Sequence, residues 1–192
     1  MNFLNGAIIP SGAGRFDPAR EGHIGNFFFP RKDYVLAEQL GAQRAKAGAG
    51  SYANRIEKIS DEQSREGHIL GALGELAALQ YCVVFDIPYR APYIFARKPV
   101  RAPDFTLFGN YRVNVKAAPY LNGSAHLLVS RGSQHGNGEE CDGYWFMAVT
   151  RQQGEVEHFH FTKKTVNQWP VKDFGYCKAS YLPLEEIERR AK

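Results

Sequence analysis

An α/β fold, built on a central mixed sheet of about five strands flanked by helices and preceded by a helical or irregular extension, is what this sequence predicts. Three observations predict it: helical spacing of apolar residues over 61–82, a succession of short β-type runs after residue 82, and a hairpin signal at Gly109-Asn110. The 192 residues suit one domain, since a core of this size buries roughly 70% of the surface that the unfolded chain exposes.

Residues 1–32 are rich in Gly and Pro and carry Phe27-Phe28-Phe29 before Pro30, which reads as an irregular arm with one apolar anchor. The anchor packs on its own domain or forms an exposed aromatic patch for a second copy or a protein partner. Residues 33–47 have the Ala, Leu, Glu, Gln, Arg and Lys content of a helix that stops at Gly48. Residues 1–59 are thus an arm and a helix packed on a core formed by 60–192. That core opens with Ser60 and Gln63 in capping-box spacing, followed by Ile69, Leu73, Leu76 and Leu79 at helical intervals. Gly67, Gly71 and Gly74 share one face of this helix, a stripe that lets a sheet approach closely.

The β-type runs are CVVF at 82–85, YIFA at 93–96, DFTLF at 104–108, YRVNVKA at 111–117, AHLLVS at 125–130, DGYWFMAVT at 142–150 and EVEHFHF at 155–161. Helices over 163–169 and 184–191 close the chain. The aromatics Tyr144, Trp145 and Phe146 alternate as in a sheet covered on its faces. His158 and His160 share one strand face, half of a transition-metal site without a third ligand, and read as ordinary, partly exposed histidines.

A net charge of +4 permits contact with phosphate without demanding it. Cys82, Cys141 and Cys177 are odd in number and widely spaced, which suggests neither a disulfide framework nor a C-x-x-C metal site and fits a reducing, cytoplasmic compartment. The first residues lack a basic and then apolar leader pattern, and no run reads as the roughly 20 apolar residues of a membrane span, so a soluble protein without membrane partners is expected.

The chemistry gathers around PDFTLFGNYRVNVKA. Antiparallel pairing about its turn brings Asp104, at the start of one strand, to Lys116, near the end of the next, and the period of two puts Asn114 and Lys116 on one face. Phosphodiester hydrolysis needs such a set, with oxygen ligands for a divalent cation and a fixed positive group near the attacked phosphate. The helix GALGELAAL with Glu75, the Pro103-Asp104 strand opening, the turn and the V-N-V-K-A strand together resemble the PD-(D/E)XK, or restriction-endonuclease-like, nuclease superfamily. DGYWFMAV is similar to its fourth core strand, and the tail resembles phage and restriction-type members.

The resemblance implies a DNA endonuclease that uses Mg²⁺ or Mn²⁺. Glu75 and Asp104 would be metal ligands and Lys116 the lysine that orients or activates water, with Asn114 at the position that carries Asp or Glu in the family. An Asn carbonyl coordinates Mg²⁺ without adding charge, so this departure weakens the site. The Gly-rich loop 130–138 with Arg131, and the pair Lys163-Lys164, would meet the nucleic-acid backbone. The resemblance also suggests a phage or mobile element as source, which would place the protein in the host cytoplasm. Two other classes stand beside this one: a weakened nuclease fold that binds nucleic acid or protein, which Asn114 favours, and a phage structural or assembly protein, which the aromatic arm favours.

Overall fold

In a computed structural model of the chain, which describes residues 16–28, 31–48, 61–92, 94–96, 102–120, 125–130, 141–150, 155–174, 178–184 and 186, the Ala- and Leu-rich segments form two long helices, α1 (Arg31–Gly48) and α2 (Asp61–Val84). The strands are β1 (Gly22–Phe28), β2 (Tyr89–Arg90), β3 (Phe105–Leu107), β4 (Tyr111–Pro119), β5 (His126–Ser130), β6 (Gly143–Thr150), β7 (Glu155–Thr162), β8 (Val171–Asp173) and β9 (Lys178–Pro183). A short helix α3 (Lys163–Val166) follows β7, with Thr162 as its N-cap. The fold is α/β: one mixed sheet of six strands in the order β1-β7-β6-β4-β3-β2, and a second sheet of three in the order β5-β9-β8. Only β4 and β6 run parallel in the large sheet, so their connection must cross over; β5 lies within it and joins the second sheet.

Two cores form because β6 presents alternate residues to opposite faces. Trp145, Met147 and Val149 pack with α1 and α2, while Tyr144, Phe146 and Ala148 pack with β5, β9 and Trp169. Every residue of β6 but Thr150 is buried, as a central strand covered on both sides requires. Helix α2 reaches the sheet most closely at Gly74, where a Cβ would come within 2.9 Å of Ala117 Cβ and 3.2 Å of Val115 Cγ1. The expected glycine stripe does not act as a whole, because nothing lies within 4 Å of a Cβ added at Gly67 or Gly71. Between the helices the close approach belongs instead to Gly41 of α1, which sits against the Ile69 backbone. Arg65–Val84 is long and apolar enough to cross a membrane by composition, yet 61% of that window is buried, so the core accounts for its hydropathy.

Several local expectations change. The mixed sheet of about five strands is present with six; the N-terminal segment supplies one of them, β1, an edge strand pairing with β7 from Gly22↔His160 to Phe28↔Glu155, where an irregular arm was expected. Phe29 and the side chains of Phe27 and Phe28, on which the partner expectation rests, lie outside the described residues. CVVF is no strand: α2 continues to Val84 and closes with Ile87 N donating to Cys82 O at 2.8 Å and Asp86 N to Val83 O at 3.3 Å, Asp86 taking φ 50°. Helical burial of Tyr81 and Cys82 overrides the β-branched run, and burial pushes the Cys82 thiol up to about 12. The described part of YIFA, 94–96, forms no strand either, since Ile94 O and Ala96 O accept from the Arg44 side chain. The expected 163–169 helix stops at Val166, and most of 184–191, like Ser60 of the capping box, lies outside the described residues. The hairpin turn places its positive φ values at Phe108 (51°) and Gly109 (87°), one residue earlier than Gly109-Asn110.

The N-terminal segment is tied to the far end of the sheet through His160. Its Nδ1–H donates to Arg20 O at 3.1 Å, so in the neutral ring Nε2 is the acceptor, and Tyr111 O–H donates to it at 2.9 Å. The two side chains meet above Gly143 of β6, where any Cβ would strike the Tyr111 hydroxyl and lie 2.8 Å from His160 Nε2. His158 and His160 are therefore core histidines rather than the partly exposed ones expected, both fully buried; His158 lies against the rings of Tyr81 and Trp145. Burial holds the His158 pKa down to about 3 and lowers that of His160 as well. A lowered folded pKa means that the unfolded chain takes up the proton first, so stability falls as pH drops below the ordinary histidine value. Between pH 7 and 5, His158 is expected to cost about 2 kcal/mol of stability. Urea unfolding at both pH values checks this, and His158→Leu should remove that part of the slope; an unchanged slope would refute the assignment.

Candidate active site at the unpaired edge of strand β4

Strand β3 pairs with β4 over Phe105↔Val113 to Leu107↔Tyr111, so among the described residues the β3 side of β4 has no strand partner beyond Val113. The first backbone N–H exposed by this divergence, that of Val115, donates to Asp104 Oδ2 at 2.7 Å. Asp104 thus acts as the expected strand opening, and extending the register by one residue sets it opposite Asn114. Asn114 is 3% exposed, and its Oδ1 has no hydrogen-bond partner among the described residues. A buried acceptor of this kind costs about 1–3 kcal/mol if nothing meets it.

Glu75 arrives from α2, and its surroundings differ from the expectation. Both carboxylate oxygens accept from Arg44 of α1, Oε1 from Nη1 and Oε2 from Nη2, each at 2.7 Å. The same guanidinium donates from Nη2 to Ile94 O at 2.8 Å and from Nε to Ala96 O at 3.0 Å. Arg44 therefore joins α1, α2 and the 94–96 segment at one point. Its side chain is 10% exposed and that of Glu75 15%. Burial pushes the Glu75 carboxyl up, against the hydrogen bonds and charge of Arg44 and the charge of Lys116. Despite its own desolvation, Arg44 is held further toward its charged form by Glu75 and Asp104. The bidentate 2.7 Å geometry is that of an ionised pair, so the upward shift leaves Glu75 a carboxylate.

The four expected residues do not share one sheet face. Val115 and Ala117 point to α2, so Asn114 and Lys116 take the face of Tyr144 and Phe146, their register partners on β6. The two groups nevertheless act on each other around the open edge: Lys116 lowers the Glu75 pKa, and Asp104 raises that of Arg44. His68, two turns before Glu75 on α2, has its pKa lowered by burial and by Arg44. The expected nucleic-acid contacts stand apart. Lys163 and Lys164 begin α3, where Lys163 N donates to Asp142 O at 3.0 Å and Asp142 N to Arg112 O at 2.8 Å. Arg112 precedes Lys116 by four strand residues, about 13 Å. Arg131 lies outside the described residues.

For a divalent ion the oxygen donors are Asp104 and the orphaned Asn114 carbonyl, with Glu75 added if it leaves Arg44. Two carboxylates and two cations sum to zero, so the charge attraction for the ion is weak. Among the described residues, no three His, Cys, Asp or Glu side chains cluster as a metal site. No protein-family model matches this chain, and no curated protein matches it.

Proposed function

We propose that the protein is a metal-dependent phosphodiesterase acting on nucleic acid, with Asp104, Asn114, Lys116 and Glu75 as its reaction centre. The observation that carries this reading is the hairpin edge itself. Asp104 is fixed by the Val115 N–H opposite a buried, unmet Asn114 carbonyl, and the charges of Lys116 and Glu75 act on each other beside it. The likeness to PD-(D/E)XK nucleases in the order of these residues supports the same reading.

Asp104 and Asn114 would hold Mg²⁺ or Mn²⁺, which when bound neutralises charge that develops on the phosphate. Lys116, on the Asn114 side of β4, would orient the attacking water and offset the same charge. Arg44 keeps Glu75 ionised and in place at the edge of this centre. DNA is the substrate the likeness favours. Incubation of supercoiled and linear DNA with the protein and Mg²⁺ or Mn²⁺ tests the proposal. Cleavage is expected, with Lys116→Ala reducing it at least 100-fold, on the order of a lost electrostatic contact in a transition state, while DNA binding is kept. Equal cleavage by Lys116→Ala would move the chemistry elsewhere.

A second reading, a nucleic-acid-binding protein on the same fold with little or no cleavage, is favoured by one observation: Arg44 already occupies both oxygens of Glu75. Binding without cleavage under either ion would select it.

A further inference from the structure

We infer that the N-terminal arm, residues 16–28, is exchanged between two copies of this chain, so that the protein forms a dimer in which each arm lies along strand β7 of the other copy, whatever reaction the edge of β4 performs. The arm is held by groups far from it in the chain. Beyond the β1–β7 ladder, Phe16 is 2% exposed and inserts its ring among those of Tyr111, Trp145 and His160, at centroid distances of 6.4, 4.8 and 4.8 Å. Arg20 O accepts from His160 Nδ1, and the Glu21 carboxylate accepts from Thr162 N at 2.7 Å and from Thr165 Oγ1 at 2.8 Å. Strand β1 packs chiefly on β7 rather than on α1, the element that follows it. The turn at Asp17, whose O accepts from Arg20 N at 3.0 Å and whose Oδ1 accepts from Ala19 N at 2.9 Å, is internal to the arm and travels with it.

A body without an arm would uncover the Trp145 ring and leave the β7 ladder open along one side, so each body takes an arm from one copy or the other. The link decides which. Strand β1 ends at Phe28 and α1 begins at Arg31, so only Phe29 and Pro30 stand between them. Pro30 has a fixed φ and biases Phe29 toward extended backbone, so the link resists the bend that returns an arm to its own body. Links this short favour exchange, because the exchanged form keeps every arm contact while the link runs on straight. Both forms bury the same groups, and protein concentration therefore shifts the balance toward the dimer.

Asn26 and Glu157 are register partners of β1 and β7, and such Cα pairs lie about 4.5–5.5 Å apart, within reach of a disulfide. The test takes the full chain with Asn26→Cys and Glu157→Cys, oxidises it under native conditions and runs it on a denaturing gel without reductant. An exchanged arm gives covalent dimers, and an arm on its own body gives monomers with the bond inside the chain. Light scattering is expected to show a wild-type dimer whose share grows with concentration. The dimer fraction of the double variant should become covalent, with the 26–157 link identified by peptide mass. Inserting five Gly and Ser residues between Phe29 and Pro30 should raise the dimer dissociation constant about ten-fold or more, with circular dichroism unchanged. This second variant reads the exchange even where the cysteine pair does not fold. A dimer whose oxidised chains separate as monomers, a dimer share unmoved by the longer link, or a wild-type chain that is monomeric at every concentration would overturn the inference.

Discussion

Arg44→Ala is expected to destabilise the protein by about 3–5 kcal/mol, because it leaves a carboxylate inside the structure without its cation. Arg44 and Glu75 are 10% and 15% exposed at the side chain, and the arginine also satisfies Ile94 O and Ala96 O, so four acceptor contacts vanish together. Glu75→Gln should cost less, since an amide still accepts from Arg44. Replacing both partners, as in Arg44→Met with Glu75→Leu, should recover a large part of the loss, because the penalty comes from the unpaired charge rather than from absence of the pair. Urea unfolding of the four proteins measures this. A cost for Arg44→Ala below about 1 kcal/mol would mean that water already screens the pair as at an ordinary surface bridge, which its burial contradicts.

Asn114→Asp is the second change with a large expected effect, and its direction depends on the metal. In EDTA a carboxylate at a position 3% exposed should lower stability by about 2 kcal/mol, as it cannot be solvated and stands opposite the Asp104 carboxylate. With Mg²⁺ present the order should reverse. Three carboxylates against two cations leave the centre negative, the ion binds the folded state alone, and stability rises with its concentration. Thermal unfolding with and without Mg²⁺ should therefore give a larger upward shift for the variant than for wild type, with cleavage equal or faster. A variant that Mg²⁺ does not stabilise would show that Asn114 lies outside any metal centre, and the binding reading would then account better for the chain.

The parts of the fold legible in the sequence were those in which local pattern and burial agree. The hairpin about residue 109, the long buried helix and the β6–β7 pair carry their own periodicity, and each forms. Two of the failures come from contacts between distant segments. β1 is a strand only because β7 lies beside it, and 94–96 is not one because Arg44 has taken the Ile94 and Ala96 carbonyls. In the candidate site, the nearness of Asp104 to the strand of Asn114 and Lys116 was expected from strand period and the turn, whereas its place opposite Asn114 comes from the observed register, since the turn lies one residue earlier than expected. Arg44 was not expected, although a signal existed: Ala37, Leu40, Gly41 and Arg44 fall at i, i+3, i+4 and i+7, so the arginine sits on the buried stripe of α1. A cation at an apolar position calls for a buried anion, and Glu75 stands on a buried helix.

The partnership of β1 with β7 bears on the order in which the molecule can assemble. Residues near 20 and 160 meet through the Arg20–His160 and Glu21–Thr162 hydrogen bonds, which join groups 140 and 141 positions apart. Ring closure over such a span is slow compared with formation of a helix or a tight hairpin. During synthesis α1, α2 and the β3–β4 hairpin leave the ribosome with their local contacts available, whereas the first strand made has no neighbour until almost the last one emerges. The outer edge of the large sheet is thus the final piece to close, and β1 stays exposed to other chains for most of the time the protein takes to be made.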